Sequence, residues 1–408
     1  MHGYEREGAN LAIYHNGKSV VNIWNGYSDA EAGRKWTSTT KSVLFSSSKV
    51  SFSAVVALCM AMLVDRGYLS YDDLVIKYWP EYGKNGKNNT TIEDILTHKI
   101  FFILFSKKIF FFEIFYHLCY FRFLDFSAGI PYLENITIED VKKHDVIMRK
   151  LEDAQPLWEP GSTSGYHIVT FGWLVDGIFR KVDKRGRDVQ SFLKEEIADK
   201  YGLNVNIGLN RENFADLARF SQPGLIEYAR DMLIDPQILL ILIAMFHPSN
   251  KIAWNLLTHS AWLPINYDTV AVNDPDVVAL NLAAAVGVAD AESVARLFSL
   301  ALDGTLLSNA TLQLISKPTL SHWYIEQVIM YPFLKGRGFF YDEHPTEKDE
   351  YLAGHPGYGC QAIIIDIKNN LTMAYLTNGL KTSTSIICQN YNRLLKTLYQ
   401  VITDLKKS

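Results

Sequence analysis

The text that most limits the fold is an early hairpin. "NLAIYHNGKSVVNIWNGY", residues 10–27, alternates apolar and polar side chains on both sides of Asn16-Gly17. Asn-Gly between two alternating runs is the strongest short-range sign of a two-residue antiparallel turn. The strand period returns only near the other end. There "GRGFFYD", "YGCQAIIIDIK" and "LTMAYLTNG" read as a three-strand antiparallel set, the last two joined at Asn369-Asn370. Strand pattern at both ends around a helical middle predicts one sheet built from the chain ends, with a helical lobe inserted. We place the sheet domain at residues 1–55 and 325–408, and the mainly helical domain at 56–324.

The helical periods are explicit. From Ser46, "SSSKVSFSAVVALCMAMLVDRGYLS" is apolar nearly all round and closes at Gly67, predicting a buried helix. "SYDDLVIKYWPEY" predicts a second helix, capped by Ser70 and ended by Pro80. "YHIVTFGWLVDGIFRKV", "DVQSFLKEEIADKY", "ENFADLARF" and "DAESVARLFSLALDG" continue the pattern, and "IICQNYNRLLKTLYQVITDL" closes it.

At 408 residues and 48% hydrophobic content, the chain has material for a large core. A formal charge of −4, with Lys and Arg scattered, gives no electrostatic reason to expect nucleic acid or an anionic membrane surface. The apolar run Ile238 to Phe246 is too short to span a bilayer. Cys59, Cys119, Cys360 and Cys388 show no paired spacing, so reduced structural thiols are expected. The opening "MHGYEREGANLAIYHNGK" has no apolar signal core, which favours an intracellular protein, and "NLAIY" reads as a first strand with nothing ahead of it.

Residues Ile100 to Ser127 stand apart. They hold 10 of the 22 phenylalanines and neither Gly nor Pro, yet Lys107, Lys108, Glu113 and Arg122 break any membrane-length run. No clean period runs through them. One reading is a lipid-facing or partner-binding insert. We favour translated intron sequence: the residue types are those of AT-rich codons, and deleting the segment joins "EDILTHK" to "AGIPYLE", an ordinary helix end and turn.

Ser-x-x-Lys occurs three times, at Ser38/Lys41, Ser46/Lys49 and Ser191/Lys194. Chance alone supplies roughly two in a chain of this length, so spacing decides nothing by itself. Ser46 differs by opening a buried helix. There a three-residue step puts Ser46 and Lys49 on one face, about 5–6 Å apart at Cβ. The free amides and positive potential of a helix start suit an oxyanion, and burial with the dipole lowers a lysine toward a usable base. The same serine would also serve as a plain helix cap. Two further features argue for chemistry. Tyr166 in "EPGSTSGYHIVTFGW" follows a Pro-Gly turn at the mouth of another apolar helix, and His355-Pro356-Gly357 in "LAGHPGYGCQAIIID" precedes a strand, with the Tyr358 amide next.

In this order the residues resemble the serine β-lactamase and penicillin-binding-protein superfamily, most closely its class C-type, β-lactamase-related branch of esterases and peptidases. "REGANLAIYHNGK", "LFSSSKV", "DILTHK" continued by "AGIPYL", "WEPGSTSGYHIVTFGWLVDGI", "GFFYDEHP" and "GHPGYGCQ" carry the likeness over nearly the whole chain. The resemblance implies an α/β, β-lactamase/transpeptidase-like fold, an antiparallel sheet flanked by helices with a mainly helical inserted domain. It also implies acyl transfer through a serine ester on a small ester or amide. Ser46 would be the nucleophile, Lys49 and Tyr166 would share general-base and general-acid duty, and the amides of Ser46 and Tyr358 would hold the oxyanion beside His355 and Gly357. No metal or organic cofactor follows from it.

The departures shape the expected specificity. Where the family carries Tyr-x-Asn, this chain has Tyr166-His167-Ile168, and Lys-Thr-Gly is replaced by His355-Pro356-Gly357. A permanent cation gives way to a mostly neutral group. Binding of a β-lactam carboxylate should suffer, and a neutral ester or amide is favoured. The family's helix ahead of the first strand is missing from the sequence, so apolar sheet surface is expected to stay exposed. The competing reading is a non-catalytic scaffold or assembly protein on the same fold.

Overall fold

The computed structural model describes residues 5–45, 51–97, 130, 132–156, 167, 169–247, 250, 254–255, 263, 270–320, 333–384 and 387–407; at 51–53 and 355–356 it describes the backbone alone. The segment 100–127, with the reading placed on it, lies outside these residues.

The hairpin forms as the sequence predicts. β1 (Gly8–His15) and β2 (Lys18–Asp29) flank Asn16 and Gly17, whose φ values of 51° and 75° are the two positive angles a type I′ turn requires. β3 (Arg34–Lys35) pairs with the end of β2, and β4 (Ser42–Val43) opens a smaller sheet. α1 (Ser51–Asp65) is followed by Gly67, whose N–H returns to the Val64 carbonyl at 2.9 Å while Tyr68 N–H reaches Leu63, also at 2.9 Å. From Ala54 to Leu63 every α1 side chain is buried. α2 (Ile92–Thr97) is capped reciprocally, Asp94 N–H to Thr91 Oγ1 and Thr91 N–H to Asp94 Oδ2, both at 3.0 Å.

The middle of the chain adds α3 (His144–Asp153), α4 (Thr170–Val182), α5 (Val189–Leu193), β5 (Val205–Ile207), α6 (Leu225–Ile234) and α7 (Gln237–Phe246). β6 (Gly287–Ala289) follows and pairs with both β4 and β5. α8 (Ala291–Leu302) starts at Asp290, whose carboxylate accepts from Ser293 N–H at 2.7 Å. Although α8 belongs by sequence to the helical middle, it packs against β1 and the strand beside it.

Two predicted helices are corrected. "SYDDLVIKYWPEY" yields only 3-10 turns, at Val75–Lys77 and Pro80–Gly86. The Asp73 carboxylate is engaged by Ser70 N–H (2.7 Å) and the Tyr78 hydroxyl (2.6 Å), and Leu74 is extended and bridges Thr91. Side-chain bonds of this kind compete with the helical backbone pattern. "ENFADLARF" likewise gives a 3-10 turn, Arg211–Asp216, after which Lys41 draws the chain into an isolated bridge with Leu217.

The late strands number five rather than three: β7 (Leu334–Gly336), β8 (Phe339–Glu343), β9 (Tyr351–Pro356), β10 (Ala362–Asp366) and β11 (Leu371–Thr377). With the first hairpin they make an eight-stranded antiparallel sheet ordered β3-β2-β1-β11-β10-β9-β8-β7. β1 and β11, near opposite ends of the chain, pair at its centre from Ala9↔Thr377 to His15↔Leu371.

Alternation along β10 and β11 fills both faces. Ile363, Ile365, Ala374 and Leu376 join the large core with α1 and α8. Ala362, Ile364, Leu371, Met373 and Tyr375 join a second core. That core is closed by Tyr391, Leu395 and Tyr399 of α9 (Gln389–Lys407). The same face is uncovered farther out, where Ile23 of β2, paired with Leu11, is exposed.

The cysteine expectation is overturned in part. Cys360 and Cys388 form a disulfide with Cα atoms 6.0 Å apart, joining the turn before β10 to the approach of α9. Two strands separate them in sequence, so no local spacing announces the pair. Cys59 is a free, buried thiol in α1, its pKa pushed up by burial, and Cys119 lies outside the described residues.

Candidate active site

Ser46, Lys49 and Tyr166 lie outside the described residues. Their immediate neighbours are described, and so is the strand end that the sequence pairs with them. β9 finishes at His355 and Pro356, whose backbones face Ile363 and Ala362 of β10. The sequence reading put His355 at the entry to a strand; it stands at the exit of one.

The turn that follows is held from several sides. Gly357 donates its N–H to the Gln361 carbonyl at 2.7 Å, and its own carbonyl accepts from Thr384 Oγ1 at 2.6 Å. Cys360 N–H returns to Gly357 at 3.2 Å, and Lys381 N–H reaches the Gly359 carbonyl at 3.3 Å. Gly359 has φ 71°, and a Cβ there would run into the Leu380 side chain, so the turn requires glycine. Tyr358 lies on this turn, 43% exposed, with its hydroxyl donating to Gln222 Oε1 at 3.0 Å. Burial of the hydroxyl end pushes the phenol pKa up, while hydrogen bonds with Gln222 and Tyr228 draw it down by less.

The opposite wall is the chain directly ahead of residue 46. Leu44 N–H is fixed to the Gly287 carbonyl at 2.9 Å, and Phe45 then takes φ 47°. A bulky side chain in that region is strained, and such strain persists only where surrounding structure imposes it. The Phe45 ring meets Phe220 edge-on at 4.7 Å and Tyr358 at 5.7 Å. Residues 45 and 358 are therefore neighbours in space although some three-quarters of the chain lies between them.

Buried polar bonds fix the rim. Asn378, fully buried, accepts from Gly8 N–H at 2.9 Å and donates to the carbonyls of Tyr27, Ser28 (both 3.1 Å) and Arg219 (2.8 Å). It thus ties the central strands to the segment carrying Phe220 and Gln222. Arg6 donates to the Gln222, Ser221 and Leu380 carbonyls. His167, at the spacer of the altered Tyr-x-Asn text, accepts from Ile130 N–H at Nε2, 3.1 Å, and the Thr170 hydroxyl donates to the Ile130 carbonyl. Nε2 is therefore an acceptor, and His167 anchors the chain on the far side of the Phe-rich segment. Among the described residues no group of His, Cys, Asp and Glu is placed to hold a metal ion.

Sequence reasoning did not single out Phe45, Gln222 or Thr384. Nothing local in "SQPG" at 221–224 shows that it would face Tyr358.

An eight-stranded antiparallel sheet, helices on both faces and an inserted helical lobe define a β-lactamase/transpeptidase-like protein. The chain belongs to the Beta-lactamase family, whose pattern matches residues 1–103 and 122–396 and leaves out only a stretch inside the Phe-rich segment and the chain's end. "Esterase/beta-lactamase LipL" of Mycobacterium tuberculosis (strain ATCC 25618 / H37Rv) is 30% identical over 192 residues, 47% of this chain and 37% of LipL. That match therefore spans well under half of the relative. A penicillin-binding protein homologue from Caulobacter crescentus superposes with a TM-score of 0.67 at 26% identity, over 93% of this chain and 88% of its own. A family VIII carboxylesterase superposes with a TM-score of 0.73 at 21% identity, over 97% and 92%, a likeness of fold.

Proposed function

We propose that the protein is a serine hydrolase that works through an acyl-enzyme on a small ester or amide. Ser46 Oγ attacks the substrate carbonyl, its proton passing to the Lys49–Tyr166 pair. The tetrahedral oxyanion is held by the amides of Ser46 and Tyr358, with His355 and Gly357 lining the substrate. Collapse breaks the bond to the leaving alcohol or amine, which takes the proton from that pair. Water, deprotonated by the same groups, then releases the acid and restores the serine.

The observation that carries this reading is the strained Phe45 backbone set against Tyr358. It supports a nucleophile position one residue on, beside the turn at the end of β9. Family membership supports the reaction class, and the names of the esterase relatives favour esters. The exchange of Lys-Thr-Gly for His355-Pro356-Gly357 favours neutral substrates over β-lactams.

A fluorophosphonate probe tests the proposal. Purified protein should be labelled and Ser46→Ala protein should not, while nitrocefin should turn over slowly or not at all. A folded protein that resists the probe would instead be a non-catalytic member of the family. Rapid nitrocefin hydrolysis would overturn the preference for neutral substrates.

A further inference from the structure

The helix pair α6 and α7 is built inside out. On α6 the two acidic side chains turn toward the protein: Glu227 faces Arg6 at 3.5 Å and caps Gly224 N–H at 2.7 Å, and Asp231 accepts from the Thr382 hydroxyl at 2.6 Å. These bonds fix the helix's rotation, and its apolar residues are left outward. Leu225, Ile226 and Leu233 are 75%, 86% and 84% exposed. α7 has no charged residue from Gln237 to Phe246. It buries Ile238, Ile241 and Ala244 against the protein and exposes Leu239, Ile243 and Phe246 along the opposite stripe. A helix apolar on all sides is ordinarily covered on all sides, and large outward apolar side chains grouped on two adjacent helices mark an interaction surface.

We propose that α6 and α7 form a docking surface for a lipid layer with neutral, zwitterionic headgroups. Three observations choose this occupant. The ionised groups of α6 are committed inward or paired, Arg230 with Asp231 at 2.9 Å, so the described residues of this face offer no cationic patch for anionic lipid. Its leading side chains, Leu225, Ile226 and Leu233, are three-quarters or more exposed, free to enter a fluid acyl boundary, where a rigid partner would need a matching recess for each. At the end of α7 the Phe246 ring meets Trp254 edge-on at 6.4 Å, and the Trp254 indole N–H bonds the His247 carbonyl at 3.3 Å. Trp254, an amphipathic aromatic exposed beside the apolar Phe246 ring, is of the kind that lies at a lipid–water boundary. Ten residues of helix reach about 15 Å, half a bilayer core, so α7 lies in the surface and does not cross it. Among the described residues no helix is long and apolar enough to span a membrane.

The surface adjoins the candidate active site, because α6 begins just after Gln222, the partner of Tyr358. Docking there would bring lipid-dissolved esters to the mouth of the site. That consequence rests on the serine-hydrolase proposal, whereas the docking itself does not.

The test is co-sedimentation of the full chain with phosphatidylcholine vesicles. Wild-type and Ser46→Ala protein should bind alike, and Ile226→Gln/Leu233→Gln or Leu239→Gln/Ile243→Gln should weaken partitioning roughly tenfold or more. These positions face solvent, so an unchanged thermal melt is the expected control. Absence of vesicle binding by wild type, binding indifferent to both double variants, or binding that requires added phosphatidylserine would overturn the proposal. So would a dimer, seen by light scattering, that these substitutions dissolve in protein that ignores vesicles; a second copy would then be the occupant.

Discussion

Replacing Cys388 by serine should cost the oxidised protein about 3.6 kcal/mol. The Cys360–Cys388 bridge closes a loop of 28 residues. In the chain-entropy treatment a loop of that length removes about 12 cal/mol/K from the unfolded ensemble, which is ~3.6 kcal/mol at 25 °C, or roughly a 400-fold change in the unfolding equilibrium. With about 2.1 cal/mol/K of unfolding entropy per residue and 408 residues, the melting temperature should fall about 4 °C. The assay is differential scanning calorimetry of glutathione-oxidised wild type against Cys388→Ser, with reduced wild type as control. The reduced and substituted proteins should melt together, below the oxidised one. Thiol titration in denaturant supplies the count: with four cysteines in the chain, the oxidised protein should show two free thiols. Four free thiols after oxidation, or a Cys388→Ser melt coincident with oxidised wild type, would refute the reasoning.

Asn378→Leu should destabilise the fold by about 3–5 kcal/mol, because one amide N–H and three carbonyls lose their buried partner together; thermal unfolding of the purified variant checks it. Acid stability should depend on Asp366. Burial raises its carboxyl pKa, but hydrogen bonds from His344 (3.0 Å), Asn369 (2.7 Å) and Tyr399 (2.7 Å) outweigh that and hold it below the ordinary value. A depressed folded-state pKa gives stability that is present above the unfolded carboxyl value near 4 and is lost as pH falls through the folded value. Melting temperature measured between pH 3 and 7 should therefore fall less steeply toward acid in Asp366→Asn than in wild type.

What was legible in the sequence was local. The hairpin at Asn16-Gly17 depends on two residues whose φ can be positive, and α8 on an aspartate three residues before a serine amide, so neighbouring text sufficed. β4, β5 and β6 escaped notice because strands of two or three residues carry no period. β9 escaped because "EYLAGHPG" has the glycine and proline of a loop, and its extended form is imposed by pairing with β8 and β10. "SYDDLVIKYW" reads as helix until Asp73 is seen to spend its carboxylate on backbone and a phenol. The candidate site was legible as an order of residue types along the chain. The meeting of Phe45 with Tyr358, and the service of Gln222 and Thr384 to that turn, arise from tertiary approach and leave no mark in local sequence.

The pairing of β1 with β11 governs when this protein can become native. The Gly8 amide waits for an acceptor on Asn378, 370 positions later. At translation rates of about 5–20 residues per second, the first hairpin leaves the ribosome tens of seconds before the strand that completes its sheet. Until then its inner edge is open and its apolar side chains are unshielded. Closure spans nearly the whole contour of the chain, which makes it slow and exposes the nascent polypeptide to misassociation. Sheet formation should thus wait for β11 to emerge, and a chain interrupted short of β11 should accumulate as a chaperone-bound species in place of a folded fragment.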